Sequence, residues 1–181
     1  MNPQFIIIGI LLVIFILVIC YISISNKLNR SVIKIDEALS GIDVALTKRY
    51  DVLTKMIEVV KGYTKHEKET LFEVINLRKE SSIKEKNDAN LAMDENIKKI
   101  NVVAENYPDL KASANWEALQ TGVIEAEEHL QASRRAYNAA ATQYNNYHVT
   151  FPNSLIANRI KPEKREYFEA EASKKEDVKI D

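Results

Sequence analysis

The sequence predicts an all-α protein, in which an N-terminal transmembrane helix precedes an up-and-down antiparallel four-helix bundle with two long and two shorter helices. Three observations predict this fold. Residues 5–24 form an unbroken apolar run, and the residues beyond it repeat apolar side chains at alternating steps of three and four. Only three of the four glycines and three of the four prolines lie beyond that run, so little interrupts a helix there.

The apolar run at residues 5–24, FIIIGILLVIFILVICYISI, contains no charge and no proline. A helix of this length covers about 30 Å, the thickness of the hydrocarbon core of a bilayer. No basic residue precedes the run, no small-residue cleavage pattern follows it, and it is longer than a signal core, so a cleaved secretory signal is disfavoured. Cys20 follows Ile19 rather than a small residue, which disfavours lipoprotein processing.

Basic residues flank the apolar run on one side only. Residues 1–4 carry none, whereas Lys27, Arg30 and Lys34 follow closely. Because positive charge is retained in the cytoplasm, residues 1–4 are expected outside and the rest of the chain in the cytoplasm of a single-pass cell-membrane protein.

A helical bundle is expected at residues 27–170, and a disordered charged tail at residues 171–181. The first long helix has a heptad seam made of Leu28, Val32, Ile35, Leu39, Ile42, Leu46, Arg49, Leu53, Met56, Val60 and Tyr63. The second has a seam made of Trp116, Leu119, Val123, Ala126, Leu130, Ser133, Tyr137, Ala140, Tyr144, Tyr147 and Phe151. Four helices of this kind are typical of a bundle.

Two shorter helices are expected between the long ones. Leu71, Val74 and Arg78 lie on one, and a second pattern runs from Met93 to Tyr107. The polar run at residues 81–88 is expected to connect them, and Pro108 and Pro152 should end the third and fourth helices. No Gly or Pro separates Ile24 from Leu28, which favours one continuous helix, although Ser25 and Asn26 are also suited to cap a new one.

Arg49 is the unusual member of the first seam, because a buried guanidinium is costly unless a carboxylate pairs with it. Glu127 is the leading candidate for that carboxylate and Glu67 the second. Arg78 and Arg134 occupy similar positions and are expected to share these acids. The polar network either fixes helix register or forms an anion site or switch; the first alternative is favoured.

Tyrosine and asparagine recur near the end of the last helix. Tyr137, Asn138, Tyr144, Asn145 and Phe151 are a possible partner surface, because aromatic anchors dominate protein interfaces. The alternative is that the tyrosines pack beside the first long helix.

Neither an enzyme nor a cofactor is expected. His66, His129 and His148 lie on different segments and match neither a di-iron bundle nor a zinc hydrolase motif. With one cysteine there is no internal disulfide or thiolate metal site. The net charge of −1 indicates no nucleic-acid surface, and no small-molecule substrate is expected.

The chain resembles the LemA family along nearly its whole length. The first half is similar through residues 42–53 (IDVALTKRYDVL), 61–63 (KGY), 66–67 (HE) and Arg78. The second half is similar through residues 105–112 (ENYPDLKA) and through Leu119, Gln120, Glu127, Arg134, Tyr137, Asn138, Tyr144, Asn145, Phe151, Pro152, Ile156, Ala157, Tyr167, Phe168 and Glu169. Trp116, Glu128 and His129 depart from the family's usual residues. The resemblance implies a bacterial single-pass membrane protein with a cytoplasmic helical bundle and no enzyme activity.

Two functions follow as hypotheses. The first is a scaffold or organiser of the bacterial membrane that acts by self-association, with the lipid bilayer and further copies of the chain as partners. The alternative is an adaptor or regulatory subunit of a membrane protease or transport complex. Gly9 is the one glycine of the apolar run, so an oligomer would be built by the bundle rather than by the span.

Overall fold

A computed structural model describes residues 3–63, 82–161 and 163–168. The elements in these ranges are all helices, which confirms the predicted all-α class. In chain order they are α1 (Pro3–Tyr63), α2 (Ile83–Glu105), α3 (Pro108–Lys111), α4 (Ala114–Tyr147) and α5 (Asn153–Ile160).

Helix α1 is a single element of 61 residues and contains the apolar run. It continues without a break through residues 24–28, as the lack of glycine and proline there favours. The most apolar stretch of 18 residues in α1 has a mean hydropathy of 3.5, and none of these residues is buried. By length and composition, this is the one helix in the described ranges that is suited to cross a membrane.

The described residues fall into two compact units. Unit 1 comprises the described part of Met1–Glu37 together with that of Tyr137–Glu166. Unit 2 comprises the described part of Ala38–Ala136 with Tyr167 and Phe168.

In unit 2, contacts along the helices give their directions. On α1 and α4 the residue numbers run in opposite senses, because Lys48 pairs with Glu125 and Val52 lies beside Gly122. On α1 and α2 they run in the same sense, because Asp43 pairs with Lys86 and Arg49 with Asp94. Helix α4 is therefore antiparallel to α1, and α2 is parallel to it.

The predicted second bundle helix, with Leu71, Val74 and Arg78, lies outside the described residues, as does the tail at residues 171–181. The described helices therefore establish an all-α fold and the directions of α1, α2 and α4 within unit 2, and they do not establish a four-helix arrangement.

The expected connection at residues 81–88 is wrong for its described part, because α2 already begins at Ile83. Ser82 and Glu85 form a capping box: the Ser82 hydroxyl accepts from the Glu85 amide at 3.2 Å, and the Glu85 carboxylate accepts from the Ser82 amide at 2.7 Å. Lys86 is buried because its ammonium pairs with the Asp43 carboxylate. A polar run can therefore be helical and half buried when its charges are paired.

Proline sets the next boundary. Pro108 opens the short helix α3 at a position where its missing amide costs nothing. The Ser113 hydroxyl then accepts from the Trp116 amide at 3.2 Å and caps the first turn of α4.

Substitutions at Gly122 test the packing of α4 against α1 in unit 2. A Cβ added there would meet Val52 Cγ2 at 3.5 Å, an ordinary contact distance. Gly122→Ala should therefore raise the free energy of unfolding by about 0.5–1 kcal/mol, since alanine is the better helix former. Gly122→Leu should lower it by about 1–3 kcal/mol through overpacking, and Val52→Ala should relieve that loss. Urea denaturation in mild detergent measures both, and a destabilised Gly122→Ala would contradict this packing.

Candidate functional site

Arg49 lies at the centre of a buried charge cluster in unit 2. Its side chain is 3 % exposed. One guanidinium nitrogen, Nη2, donates to Asp94 of α2, and the other, Nη1, donates to Asn90 of the same helix. Nη1 also lies 3.0 Å from Glu127 Oε2 on α4. One arginine therefore contacts side chains of two other helices.

The groups around Arg49 are themselves positioned by hydrogen bonds. Asn90 is fully buried, and its amide nitrogen lies 3.4 Å from Asp94 Oδ2. The Gln131 amide donates to Glu127 Oε1 at 2.8 Å. Buried charges need such partners because the protein interior compensates poorly for lost hydration.

A second pair of contacts extends this polar layer. Lys86 of α2 pairs with Asp43 of α1. Arg134 of α4 donates to Asn87 Oδ1 at 3.3 Å, and its guanidinium carbon lies 6.0 Å from the centroid of the Phe168 ring. The layer therefore contains contacts between α1 and α2, between α1 and α4, and between α2 and α4.

The layer contains similar numbers of positive and negative groups. Its cations are Arg49, Lys86 and Arg134, and its carboxylates are Asp43, Asp94 and Glu127. In the described ranges, no three His, Cys, Asp or Glu side chains are grouped so as to hold a metal ion. What this arrangement does chemically is neutralise charge between helices, because each of the described ion pairs joins two of them.

Sequence reasoning identified part of this layer. The structure brings Arg49 and Glu127 together, and it places Arg134 against Asn87 and Phe168. Glu67 and Arg78 lie outside the described residues. The α1 and α2 members that were missed are five: Asp43, Lys86, Asn87, Asn90 and Asp94. Lys86, Asn90 and Asp94 recur at steps of four, so they share one helix face, and that spacing was the available signal.

In unit 1, the tyrosines of the possible partner surface are buried. Tyr137 and Tyr144 are each 2 % exposed, so neither is free to anchor a partner. The Tyr137 hydroxyl donates to the Glu166 carbonyl at 3.2 Å, and the Tyr144 hydroxyl donates to the Glu163 carbonyl at 3.1 Å. Their role in the structure is to hold the segment that follows α5.

Burial raises the pKa of both phenols above the ordinary value of tyrosine. The nearby Arg165 charge partly opposes this rise. The two hydroxyls therefore stay protonated, and able to donate, throughout the neutral range.

Asn145 makes a paired contact with the same segment. Its amide nitrogen donates to the Arg165 carbonyl at 2.9 Å, and its amide oxygen accepts from the Arg165 backbone N–H at 2.8 Å. Arg165 also lies over the Tyr144 ring, 5.8 Å from its centroid. Asn138 is half buried and Phe151 is 81 % exposed, so Phe151 alone of the five predicted surface residues is highly exposed.

Helix α5 is docked in unit 1 by His148 and Asn158. His148 Nδ1 lies 2.8 Å from Asn158 Oδ1, and Asn158 Nδ2 donates to the His148 carbonyl at 3.4 Å. Ala157 of α5 is fully buried. His148 therefore contributes to packing, with its ring against Tyr144 at a centroid distance of 5.0 Å.

Removing the Arg49 charge should destabilise the protein strongly. Arg49→Met leaves the Asp94 and Glu127 carboxylates without their cation, which should cost about 3–5 kcal/mol in the free energy of unfolding. Lys48→Met is the matched control, because Lys48 is about half exposed and pairs with Glu125 at 3.5 Å. That change should cost less than about 1 kcal/mol. Equal losses in urea denaturation would contradict the central role of Arg49.

Removing the Asn145 amide should release the segment that follows α5. Asn145→Ala loses two hydrogen bonds, so amide hydrogen exchange at Arg165 should accelerate by about tenfold. Asn146→Ala is the control, because its exposed side chain makes no hydrogen bond to any residue that the structure describes. Unchanged exchange in Asn145→Ala, measured by mass spectrometry, would show that the Asn145 amide is not needed to hold the segment.

Comparison with known proteins identifies the relationship. The LemA family model matches residues 38–181, which include all of unit 2. A curated protein of Metamycoplasma hominis named Protein LemA is 32 % identical over 145 residues, which are 77 % of this chain. The matched segment spans 66 % of that relative's length. The chain belongs to the LemA family.

Proposed function

We propose that this protein is a single-pass, non-enzymatic scaffold of the bacterial cell membrane, anchored by the apolar part of α1 and acting by self-association. The observation that carries the proposal is that residues 5–23 of α1 are exposed on every side, although they are almost wholly apolar. A stretch this long and this apolar is stable when lipid covers it.

Charge supports a cytoplasmic location for the residues beyond the span. Lys27, Arg30 and Lys34 follow the apolar run, and residues 1–4 carry no basic side chain. With residues 1–4 outside, these three charges lie on the cytoplasmic side, as the positive-inside rule requires.

The buried charge layer supports a structural role rather than a catalytic one. Arg49, Asp94 and Glu127 are engaged with one another. An enzyme that used them would have to break these contacts to reach a substrate. In a scaffold the same contacts are useful as they stand, because they hold three helices together.

Exposed apolar side chains in unit 2 support self-association. Val44, Val102 and Ile124 are at least 60 % exposed, and they lie on α1, α2 and α4 respectively. Interfaces between copies of a chain commonly bury exposed apolar side chains of this kind.

The test is the native mass of the full-length protein in mild detergent, with proteins that co-purify identified in the same sample. A uniform homo-oligomer without a stoichiometric companion is expected. Ile124→Asp, Val102→Asp and Val44→Asp should each be compared with Thr121→Asp, an exposed polar control on α4. At least one apolar replacement should lower the mass, whereas Thr121→Asp should not. A monomer that carries a stoichiometric membrane protease or transporter would overturn the scaffold in favour of an adaptor.

A further inference from the structure

We propose that Val149, Phe151 and Leu155 of unit 1 enter the interfacial layer of the membrane beside the end of the span, as a second lipid contact in addition to α1. We call these three residues the interfacial patch. The proposal rests on the membrane anchor proposed above and names a further part of the chain that touches the same bilayer.

The patch is apolar and open. Val149 is 63 % exposed, Phe151 81 % and Leu155 67 %. Two of its members lie in the turn that follows α4, and Leu155 lies on α5. Helix α5 is docked through Ala157 and the Asn158 contact with His148, so Leu155 belongs to its uncovered side.

Other parts of the protein begin to cover α1 where the apolar run ends. Ile24, Leu28, Ser31 and Ile35 are buried in unit 1, whereas residues 5–23 are exposed. Ile24 is therefore the first residue of α1 that protein covers, and the side chains before it are left for lipid.

Helix α4 brings the patch towards this end of the apolar run. Tyr137 lies close enough to Asp36 for the carboxylate to add to the rise in the phenol's pKa that burial causes. From Asp36 back to Ile24 is twelve residues of α1, about 18 Å, and from Tyr137 to the end of α4 at Tyr147 is ten residues, about 15 Å. Among the described residues of unit 1, those from 137 onward are the ones available to bury Ile24 and Leu28. This register brings the end of α4 towards the level of Ile24, and the turn that carries Val149 and Phe151 continues from there.

Charge near this end of the apolar run favours a lipid surface over a protein. The sequence of unit 1 contains seven basic and four acidic side chains, a formal charge of +3 in a chain whose net charge is −1. Leu155 and Arg159 lie four residues apart on α5, so an exposed basic side chain shares a helix face with an exposed apolar one. Ser154, Leu155, Asn158 and Arg159 line a shallow open depression there. Apolar side chains flanked by basic ones are the pattern that binds the surface of an anionic leaflet.

Single-tryptophan variants of the full-length chain test the proposal. The one native tryptophan, Trp116, is replaced by phenylalanine, and tryptophan is then placed at one of three positions. Phe151→Trp reports on the patch. Phe15→Trp reports on the span itself, and Ile33→Trp is an exposed apolar control in unit 1, about 13 Å along α1 from Ile24.

Each variant is reconstituted into vesicles of phosphatidylcholine and phosphatidylglycerol whose lipids are brominated either near the headgroup or near the chain end. Phe151→Trp should show blue-shifted emission and lose intensity with the shallow label. Ile33→Trp should keep its emission with either label, and Phe15→Trp should be quenched by the deep one.

The outcomes separate the two proposals. Solvent-like, unquenched emission from Phe151→Trp, in vesicles where Phe15→Trp is quenched, overturns the interfacial patch and leaves the anchor intact. Equal quenching of Phe151→Trp and Ile33→Trp also overturns the patch. An unquenched Phe15→Trp overturns the anchor, and the patch fails with it.

Trp116 is buried, so circular dichroism is used to check that its replacement preserves the helix content. If helix content is lost, a single-cysteine variant replaces the tryptophan series: Cys20→Ser with Phe151→Cys, labelled with a fluorophore and quenched in the same vesicles. The same loss of intensity with the shallow label is expected, and its absence overturns the patch.

Discussion

A buried guanidinium is the constraint on which unit 2 depends. Arg49 occupies a seam position that aliphatic side chains otherwise fill, and its burial is tolerable only while carboxylates and an amide surround it. Those partners come from α2 and α4. The three helices must therefore be aligned so that Asp94 and Glu127 reach the same side chain. With apolar seams alone, the helices could shift to neighbouring registers and still bury a similar apolar area. A buried charge allows few registers, because in most of them it would lose its partners.

The apolar part of α1 is subject to a different constraint. Its side chains are uncovered up to residue 23 and buried at intervals from Ile24 onward. One continuous helix therefore passes from a sequence suited to lipid to a sequence suited to protein. In unit 1 the segment after α5 is held by hydrogen bonds from Tyr137, Tyr144 and Asn145 to backbone groups. Backbone groups paired in this way need no water, so a segment without helical hydrogen bonds can pack closely against α4.

Much of the fold could be read from the sequence, because its strongest signals are local. The apolar run, the two long seams and the proline boundary at Pro108 each involve residues close together in the chain. The helix that begins at Ile83 was harder to recognise. Its first turns are polar, and the pairing of Lys86 with Asp43 depends on a contact 43 residues away. Asn90 and Asp94 were missed for the same reason. Tyr137 and Tyr144 were recognised as notable, but a sequence cannot show that their hydroxyls meet backbone carbonyls of a later segment.

The Arg49 cluster fixes how α1 and α4 align in unit 2. Disulfide trapping in a Cys20→Ser background tests this alignment. A Cβ added at Gly41 would lie 3.8 Å from Ser133 Oγ, so Gly41→Cys with Ser133→Cys reports the native register, and Gly41→Cys with His129→Cys reports a shift of about one turn. In the native cluster only the 41–133 pair should form. When Arg49→Met, Asp94→Leu and Glu127→Leu are combined, both pairs should form. If this apolar variant still forms only the 41–133 pair, the charge cluster does not set the register.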